Sequence, residues 1–426
     1  MKILVPSPVT PDKNSVRTVY VSEIMKQVKK KIDLDFFWFI YQPDKINSIT
    51  HSDFNFVDIH DFNNALDCLK KINPDCVMVG SNFEPIQYAF SICCKKLKIP
   101  LISFYYFGYD FEQFQSITGS KKFISNLRNI FSNSIPTDSE NQKSFLRRLK
   151  FILYKTKFLS KTRKAIGEKT SYIQDIASIF TSSLDQKEVA DLADLHILPD
   201  NSWLEPLQKM GIQKSNLCVT GSPFWDRLYF KSKEFSPKKT DFKKISILII
   251  TDALVEHGIW NNQKFSSFFI ELINKLSQKS EFSFAFKIHP ASEDITKYEN
   301  LIKKLGVDSK IYQSDDVWDI LGNYDMVLTF GYSTIHSQLS LVGVKTILID
   351  LDFGFPLFPF VKEGIEYGII RKCSNLSQIN NMILDFLKQN IDLNSSFISA
   401  RENFFYKFDG KSTERISEAI LNLKSS

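Results

Sequence analysis

The 426-residue chain has little of what specialised scaffolds are built from. Gly and Pro number only 15 each, which excludes a collagen-like or linker-like chain. The six cysteines are Cys68, Cys76, Cys93, Cys94, Cys218 and Cys373. They form no C-x-x-C pair and no Cys/His group at zinc-finger spacing. Most lie in apolar runs and read as buried thiols, which suits a reducing cytosol without excluding an oxidising compartment. No stretch approaches 18 uncharged apolar residues, so no membrane span is expected. The opening run Met1-Lys2-Ile3-Leu4-Val5-Pro6 is too short for a signal peptide. No G-x-G-x-x-G follows the first apolar run, which argues against a dinucleotide oxidoreductase, and no complete P-loop occurs.

What the chain does have is an ordinary globular balance, 43% hydrophobic and 24% charged, a net charge of +6 and an unusual 38 Phe. Its length suggests two to three domains. Short apolar runs alternate with helical segments over the first hundred residues. Ile3–Val5, Asp33–Tyr41, Phe54–Ile59, Cys76–Gly80 and Pro100–Phe107 read as strands; Val16–Lys30, Ala65–Ile72 and Pro85–Lys96 read as helices. This rhythm implies a parallel sheet wound with right-handed crossovers. It resumes with Leu195–Leu198 and Leu217–Thr220. A polar run, Lys231–Lys244, reads as a linker. A second wound half follows, with strands at Ile245–Ile250, Phe282–Ile288, Met326–Leu328 and Thr346–Asp350, the last clear one, and helices at Lys264–Lys275, Ile295–Leu305 and Ser333–Val342. The expected domains are 1–230 and 240–400, with a terminal helix in 401–426.

A basic insertion at about 110–190 interrupts the first domain. Between Lys143 and Lys169 there are ten Lys or Arg against one acid, Glu168, interleaved with Phe145, Leu149, Phe151, Phe158 and Leu159. This pattern fits either a solvated helix face or an amphipathic segment on an anionic membrane surface. No accompanying motif supports nucleic acid as a partner.

Two clusters in the second half carry chemistry. Phe284-Ala285-Phe286-Lys287-Ile288-His289-Pro290 is a strand ending in Lys-x-His-Pro. Pro290 takes the chain out of the sheet, and the alternation sends Lys287 and His289 to one side, where they could hold a phosphate. Some forty residues on, Thr329-Phe330-Gly331-Tyr332-Ser333-Thr334 follows a buried strand and opens a helix. Its free N–H groups and hydroxyls suit an anion. Asp252, Glu256 and His257 follow the first strand of this half and could contact a donor sugar or an acceptor. Asp350, Asp352 and Lys362 follow the last strand and could reach a base or ribose.

The Lys287–Pro290 and Ser333-Thr334 elements resemble the His-Pro and Ser-Ser/Thr motifs of bacterial sialyltransferases, polysialyltransferases, capsule Kdo-transferases and CDP-glycerol glycerophosphotransferases. Ser314–Leu321 and Tyr324–Leu328 resemble the part of these enzymes just before the Ser/Thr turn. Thr220–Asp226 resembles their Gly-x-Pro-x-x-Asp element, and Phe408–Ile416 the start of their terminal helix. The likeness covers roughly residues 195–420. It implies an α/β protein of the GT-B type: two Rossmann-like, doubly wound domains facing a central cleft. It also implies a metal-independent glycosyltransferase with no cofactor, whose nucleotide-sugar donor is a substrate. The nucleotide-binding set would be Lys287, His289, Pro290, Gly331, Ser333, Thr334, Asp252, Glu256 and His257, with His289 also acting on the leaving phosphate. Asp110 or Glu112, near the place of an acidic motif in the sialyltransferases, would deprotonate the acceptor, although the second acid and the Gly are displaced. The glycerophosphotransferases carry a His there, which this chain lacks.

The expected donor is a CMP-linked sugar of sialic acid or Kdo type, and the acceptor a surface glycan, glycolipid or glycoprotein. The location would be cytoplasmic, with a peripheral position at the inner membrane face. A UDP-sugar transferase or UDP-sugar 2-epimerase of the same fold, and an idle membrane-associated nucleotide-binding scaffold, are the alternatives.

Overall fold

The computed structural model describes residues 1–7, 16–41, 54–80, 85–105, 139–168, 191–235, 240–255, 260–289, 293–330, 335, 339, 343–350, 359–366, 368, 370–389 and 406–423. The chain divides into two compact units: Met1–Asp226 with Asn403–Ser426, and Arg227–Glu402.

The first unit holds a seven-stranded sheet of β1 (Lys2–Val5), β2 (Asp35–Ile40), β3 (Asn55–Asp58), β4 (Cys76–Gly80), β5 (Leu101–Phe104), β6 (Leu195–Leu198) and β7 (Leu217–Val219). Their order across the sheet is β3-β2-β1-β4-β5-β6-β7, and every neighbouring pair is parallel. All five residues of β4, Cys-Val-Met-Val-Gly, are buried. That is the composition a parallel strand needs when helices cover both faces. On one face α1 (Val16–Lys29) sets Tyr20, Val21, Ile24 and Val28 against Ile3, Val5, Phe36 and Trp38. On the other, α2 (Ala65–Ile72), α3 (Pro85–Leu97) and α4 (Ser139–Ala165) pack against Leu4, Phe39, Val77 and Val79. The bounds of α2 are set locally. The Asn64 side chain accepts from the Asp67 N–H at 3.0 Å, and Asn73 closes the helix in a left-handed conformation. The sheet's last crossover runs through α5 (Leu204–Lys209), and α6 (Pro223–Glu234) carries the chain on.

Helix α4 contains the basic run, and its packing redirects the membrane expectation. Phe158 and Leu159 are fully buried, the Phe151 and Tyr154 rings pack tilted against Tyr41, and the Thr162 hydroxyl accepts from the Ala65 N–H at 3.1 Å. The fold therefore uses these apolar residues, and they do not face a bilayer. What remains outside is Lys150, Leu153, Lys157, Lys161 and Lys164, an exposed stripe at helical spacing. Among the described residues, no helix is long and apolar enough to cross a membrane.

The second unit has six parallel strands: β8 (Ile245–Ile250), β9 (Phe282–Lys287), β10 (Lys310–Tyr312), β11 (Met326–Phe330), β12 (Thr346–Ile349) and β13 (Ile370–Cys373), in the order β10-β9-β8-β11-β12-β13. Its helices are α7 (Asn262–Leu276), α8 (Ile295–Leu305), α9 (Val317–Leu321), α10 (Pro359–Glu366) and α11 (Ile379–Lys388). Phe265, Phe268 and Phe269 of α7, Phe286 of β9, Phe330 of β11 and Phe386 of α11 join one core, which accounts for part of the Phe excess. Two expectations are corrected here, and one segment left unassigned above is added. Thr346–Asp350 is not the last strand: β13 pairs with β12, and its central residues Arg371 and Lys372 are only partly covered, so it carries no apolar run to betray it. Val317–Leu321 is a helix, capped by Asp316 accepting from the Trp318 N–H at 3.1 Å. The first residues of the polar run at 231–244 belong to α6 rather than to a linker.

The C-terminal helix α12 (Ser412–Leu423) returns to the first unit, where Ile416 and Ile420 join the α1 face of the core. One carboxylate fastens it. Asp226, only 7% exposed, accepts from the N–H groups of Ser412 and Thr413 and from the Thr413 hydroxyl, each at 2.7 Å. Arg415 donates to the Thr220 carbonyl at 2.8 Å and forms a forked pair with Asp409. Gly221 has φ +86°, and a Cβ there would lie 2.3 Å from the Ser412 hydroxyl oxygen, so the turn tolerates no side chain.

Candidate functional site

Both sheets reverse winding direction at their first strand. In each, strand 1 lies between strands 2 and 4 of its own unit, the order at which open α/β sheets bind ligands beyond the carboxyl ends. In the second unit that point lies between β8 and β11, which pair with Thr329 opposite Ile250. Thr251 and Asp252 therefore leave the sheet beside Phe330, and the next strand along, β9, delivers Lys287 and His289 to the same edge. With about 4.8 Å per strand step, the ends of β9 and β11 lie about 10 Å apart.

The described part of this edge is a closed polar knot around Glu293, which is only 6% exposed. Its carboxylate accepts from the His289 N–H at 2.6 Å and from the hydroxyls of Thr251 and Tyr298, each at 2.5 Å. Its backbone carbonyl accepts from Gln313 Nε2 at 2.8 Å. One residue thus joins the loops leaving β8, β9 and β10. Lys287 is also buried. Its ammonium donates to the carbonyls of Ile288 and Gln313, both at 2.9 Å. Burial pushes it below the usual lysine range, and the nearby carboxylates of Asp315, Asp316 and Glu293 oppose that shift. Lys287 therefore spends its ammonium on two backbone carbonyls within the knot. Alternation along the strand could not show this, because the carbonyls that hold it come from Ile288 and the turn after β10.

His289 is half-buried at the end of β9. Asp252, also half-buried, accepts from the Ala253 N–H at 3.0 Å. Asp350 forms a very short ion pair with Lys372, so its carboxylate is already engaged. Pro290, Gly331, Ser333, Thr334, Glu256, His257, Asp352, Asp110 and Glu112 lie outside the described residues, as does the Lys362 side chain. Glu293, Thr251 and Tyr298 escaped the reading of the sequence. The one local signal was a Glu four residues beyond His289, just before the α8 cap Asp294.

The carboxyl edge of the first unit carries different groups. The Tyr105 hydroxyl, at the end of β5, sits 3.1 Å from His196 Nδ1 and its ring stacks on Trp203. Burial raises the Tyr105 phenol above its ordinary range. Beyond β6, Asp200 accepts from the Ser202 N–H at 2.8 Å and from its hydroxyl, and burial pushes its carboxyl up to about 6. Tyr105 immediately precedes the segment that holds Asp110 and Glu112.

No protein-family model matches the sequence, and no curated protein matches it. Solved structures do. The chain is similar to S. aureus MnaA solved with UDP (14% identity, TM-score 0.55, covering 100% of this chain and 98% of that one). It is similar to a UDP-GlcNAc 2-epimerase from Methanocaldococcus jannaschii solved with UDP-GlcNAc and UDP (15%, TM-score 0.54, 99% and 100%). It is likewise similar to the glycotransferase of kitacinnamycin (11%, TM-score 0.54, 99% and 97%). At such identities the likeness establishes the fold, and the fold is GT-B: two Rossmann-like units, each built on a parallel sheet with flanking helices.

Proposed function

We propose that this chain is a nucleotide-sugar enzyme whose second unit binds the nucleotide phosphates at its carboxyl edge, and that it transfers the sugar to a hydroxyl acceptor. The observation that carries this reading is topological. The His289 turn, the Thr251–Asp252 loop and the strand feeding Gly331–Thr334 all leave one edge, on either side of the switch between β8 and β11. In the reaction, the acceptor oxygen bonds to the anomeric carbon as the bond from that carbon to the phosphate oxygen breaks. The electron pair leaves with the nucleotide. The acceptor proton passes to a carboxylate, with Asp110, Glu112 and Asp252 as the candidates. His289 and the N–H groups and hydroxyls at Gly331, Ser333 and Thr334 would stabilise the departing phosphate.

The donor nucleotide is proposed to be a uridine one, ahead of the cytidine nucleotide that the motif resemblance implied, because two of the similar structures were solved with UDP. A second reading, UDP-sugar 2-epimerase, is favoured by the similarity to the M. jannaschii enzyme. Full-length protein incubated with UDP-GlcNAc, or with CMP-sialic acid, separates these readings. Acceptor-dependent release of nucleotide supports transfer. Acceptor-independent conversion of the sugar supports epimerisation. No turnover of either donor, with no nucleotide binding, contradicts both.

The finer partner reading is an anionic membrane surface at the inner face of the cytoplasmic membrane, met by Lys150, Lys157, Lys161 and Lys164 of α4. Each lysine contributes about 1 kcal/mol, so attachment should be electrostatic and salt-sensitive. Vesicle flotation tests it: absence from phosphatidylglycerol vesicles at low salt contradicts the reading.

A further inference from the structure

We infer that Glu293 is the positioning residue of the proposed phosphate site, acting through His289. This rests on the nucleotide-binding reading of the same edge.

A carboxylate buried to 6% exposure is costly unless its oxygens are saturated and its charge is matched. Glu293 meets the first condition. Oε2 takes the His289 N–H and the Thr251 hydroxyl, and Oε1 takes the Tyr298 hydroxyl. The Lys287 ammonium is close enough for Glu293 to raise its basicity against the effect of burial. The donors are informative because they come from different elements: Thr251 from the end of β8, His289 from the end of β9 and Tyr298 from α8. A carboxylate that only capped α8 would accept from that helix's first backbone N–H groups. Here Asp294 already does so, accepting from the Thr296 N–H at 3.0 Å. Glu293 instead fixes the backbone N–H of His289, one bond from the Cα that carries the imidazole, and ties it to Thr251 at the end of the strand bordering the topological switch.

This divides the labour between two residues that the sequence presents as a pair. His289 meets the phosphate. Lys287 ties down the carbonyls of Ile288 and Gln313. Asp315 and Asp316 also face Lys287, and Asp316 is itself paired with Arg227 at 2.6 Å. Glu293→Gln keeps the shape but offers one acceptor oxygen in place of two, so at least one of the three donors must turn away.

The test uses full-length protein and calorimetric titration with UDP and, separately, uridine. Wild type should bind UDP more tightly than uridine. Glu293→Gln should weaken UDP about tenfold, the size of one hydrogen bond to a charged group, and leave uridine unchanged. On a His289→Ala background the same substitution should add nothing, because it acts through that residue. Uniform loss of both ligands, or full additivity with His289→Ala, overturns the inference while leaving the nucleotide reading intact. If wild type binds neither UDP nor CMP, the nucleotide reading falls and the inference with it. Tyr298→Phe and Thr251→Val each remove one donor and keep the shape. They provide the same comparison should Glu293→Gln fail to fold, with an expected loss of about threefold each for UDP.

Discussion

Among the described residues, each unit has a deeply buried carboxylate that accepts three short hydrogen bonds, and the two differ in where their donors come from. Asp226 in the first unit takes all three from Ser412 and Thr413, the first turn of α12. Glu293 in the second takes them from Thr251, His289 and Tyr298, which belong to three separate elements. The same local chemistry closes the chain in one case and gathers strand ends around a prospective ligand in the other. On the proposed reading, donor origin, rather than burial or hydrogen-bond count, separates a structural carboxylate from one that serves a site.

If so, the two should respond oppositely to substitution. Asp226→Ala leaves buried donors without an acceptor and should cost about 4 kcal/mol in the unfolding of the first unit, read from urea curves. Nucleotide affinity of the folded protein should hold. A cost under about 1 kcal/mol would remove the distinction.

Asp200 adds a third buried carboxylate, with donors from Ser202. Burial holds its carboxyl at about 6, above the ordinary 3.8, so the folded chain binds that proton more tightly than the unfolded chain. Its contribution to stability is full below the ordinary value and is lost as pH rises through about 6, amounting to at most about 3 kcal/mol. Asp200→Asn should flatten that part of the profile and raise the thermal midpoint at pH 7.5 relative to wild type. A profile unchanged by the substitution contradicts this.

The turn beneath the Asp226 clamp is the next test. Gly221→Ala should cost about 2 kcal/mol, from the left-handed backbone and the clash with Ser412 together. Adding Ser412→Gly should recover only the clash. Full recovery would mean that the backbone conformation is not the constraint.

The alternation of apolar runs made the wound sheets legible, because a buried parallel strand such as β4 must be apolar throughout. It missed β13, whose Arg371 and Lys372 break the run. It left open whether the α4 segment was a solvated face or a membrane-surface segment, and neither alternative foresaw that Phe158 and Leu159 are core. The site was visible only as far as local motifs reach. Lys287-x-His289-Pro290 announces a strand end, but burial of the Lys287 ammonium depends on Gln313, 26 positions away. Both halves of the terminal-helix clamp stood out as separate motifs. Nothing local could join Asp226 to Ser412 across 186 positions, since hydrogen bonds between distant loops leave no periodicity. Sequence patterning records burial; it does not record which polar groups meet.

The decisive quantity is the affinity of the intact chain for UDP, measured by calorimetric titration on wild type and on His289→Ala, with CMP in parallel. Saturable binding that falls about tenfold or more on removal of the imidazole, with the unfolding curve unchanged, is the expected result. Equal affinity of the two proteins, or no binding of either nucleotide to wild type, would show that the carboxyl edge of the second unit is not a phosphate site.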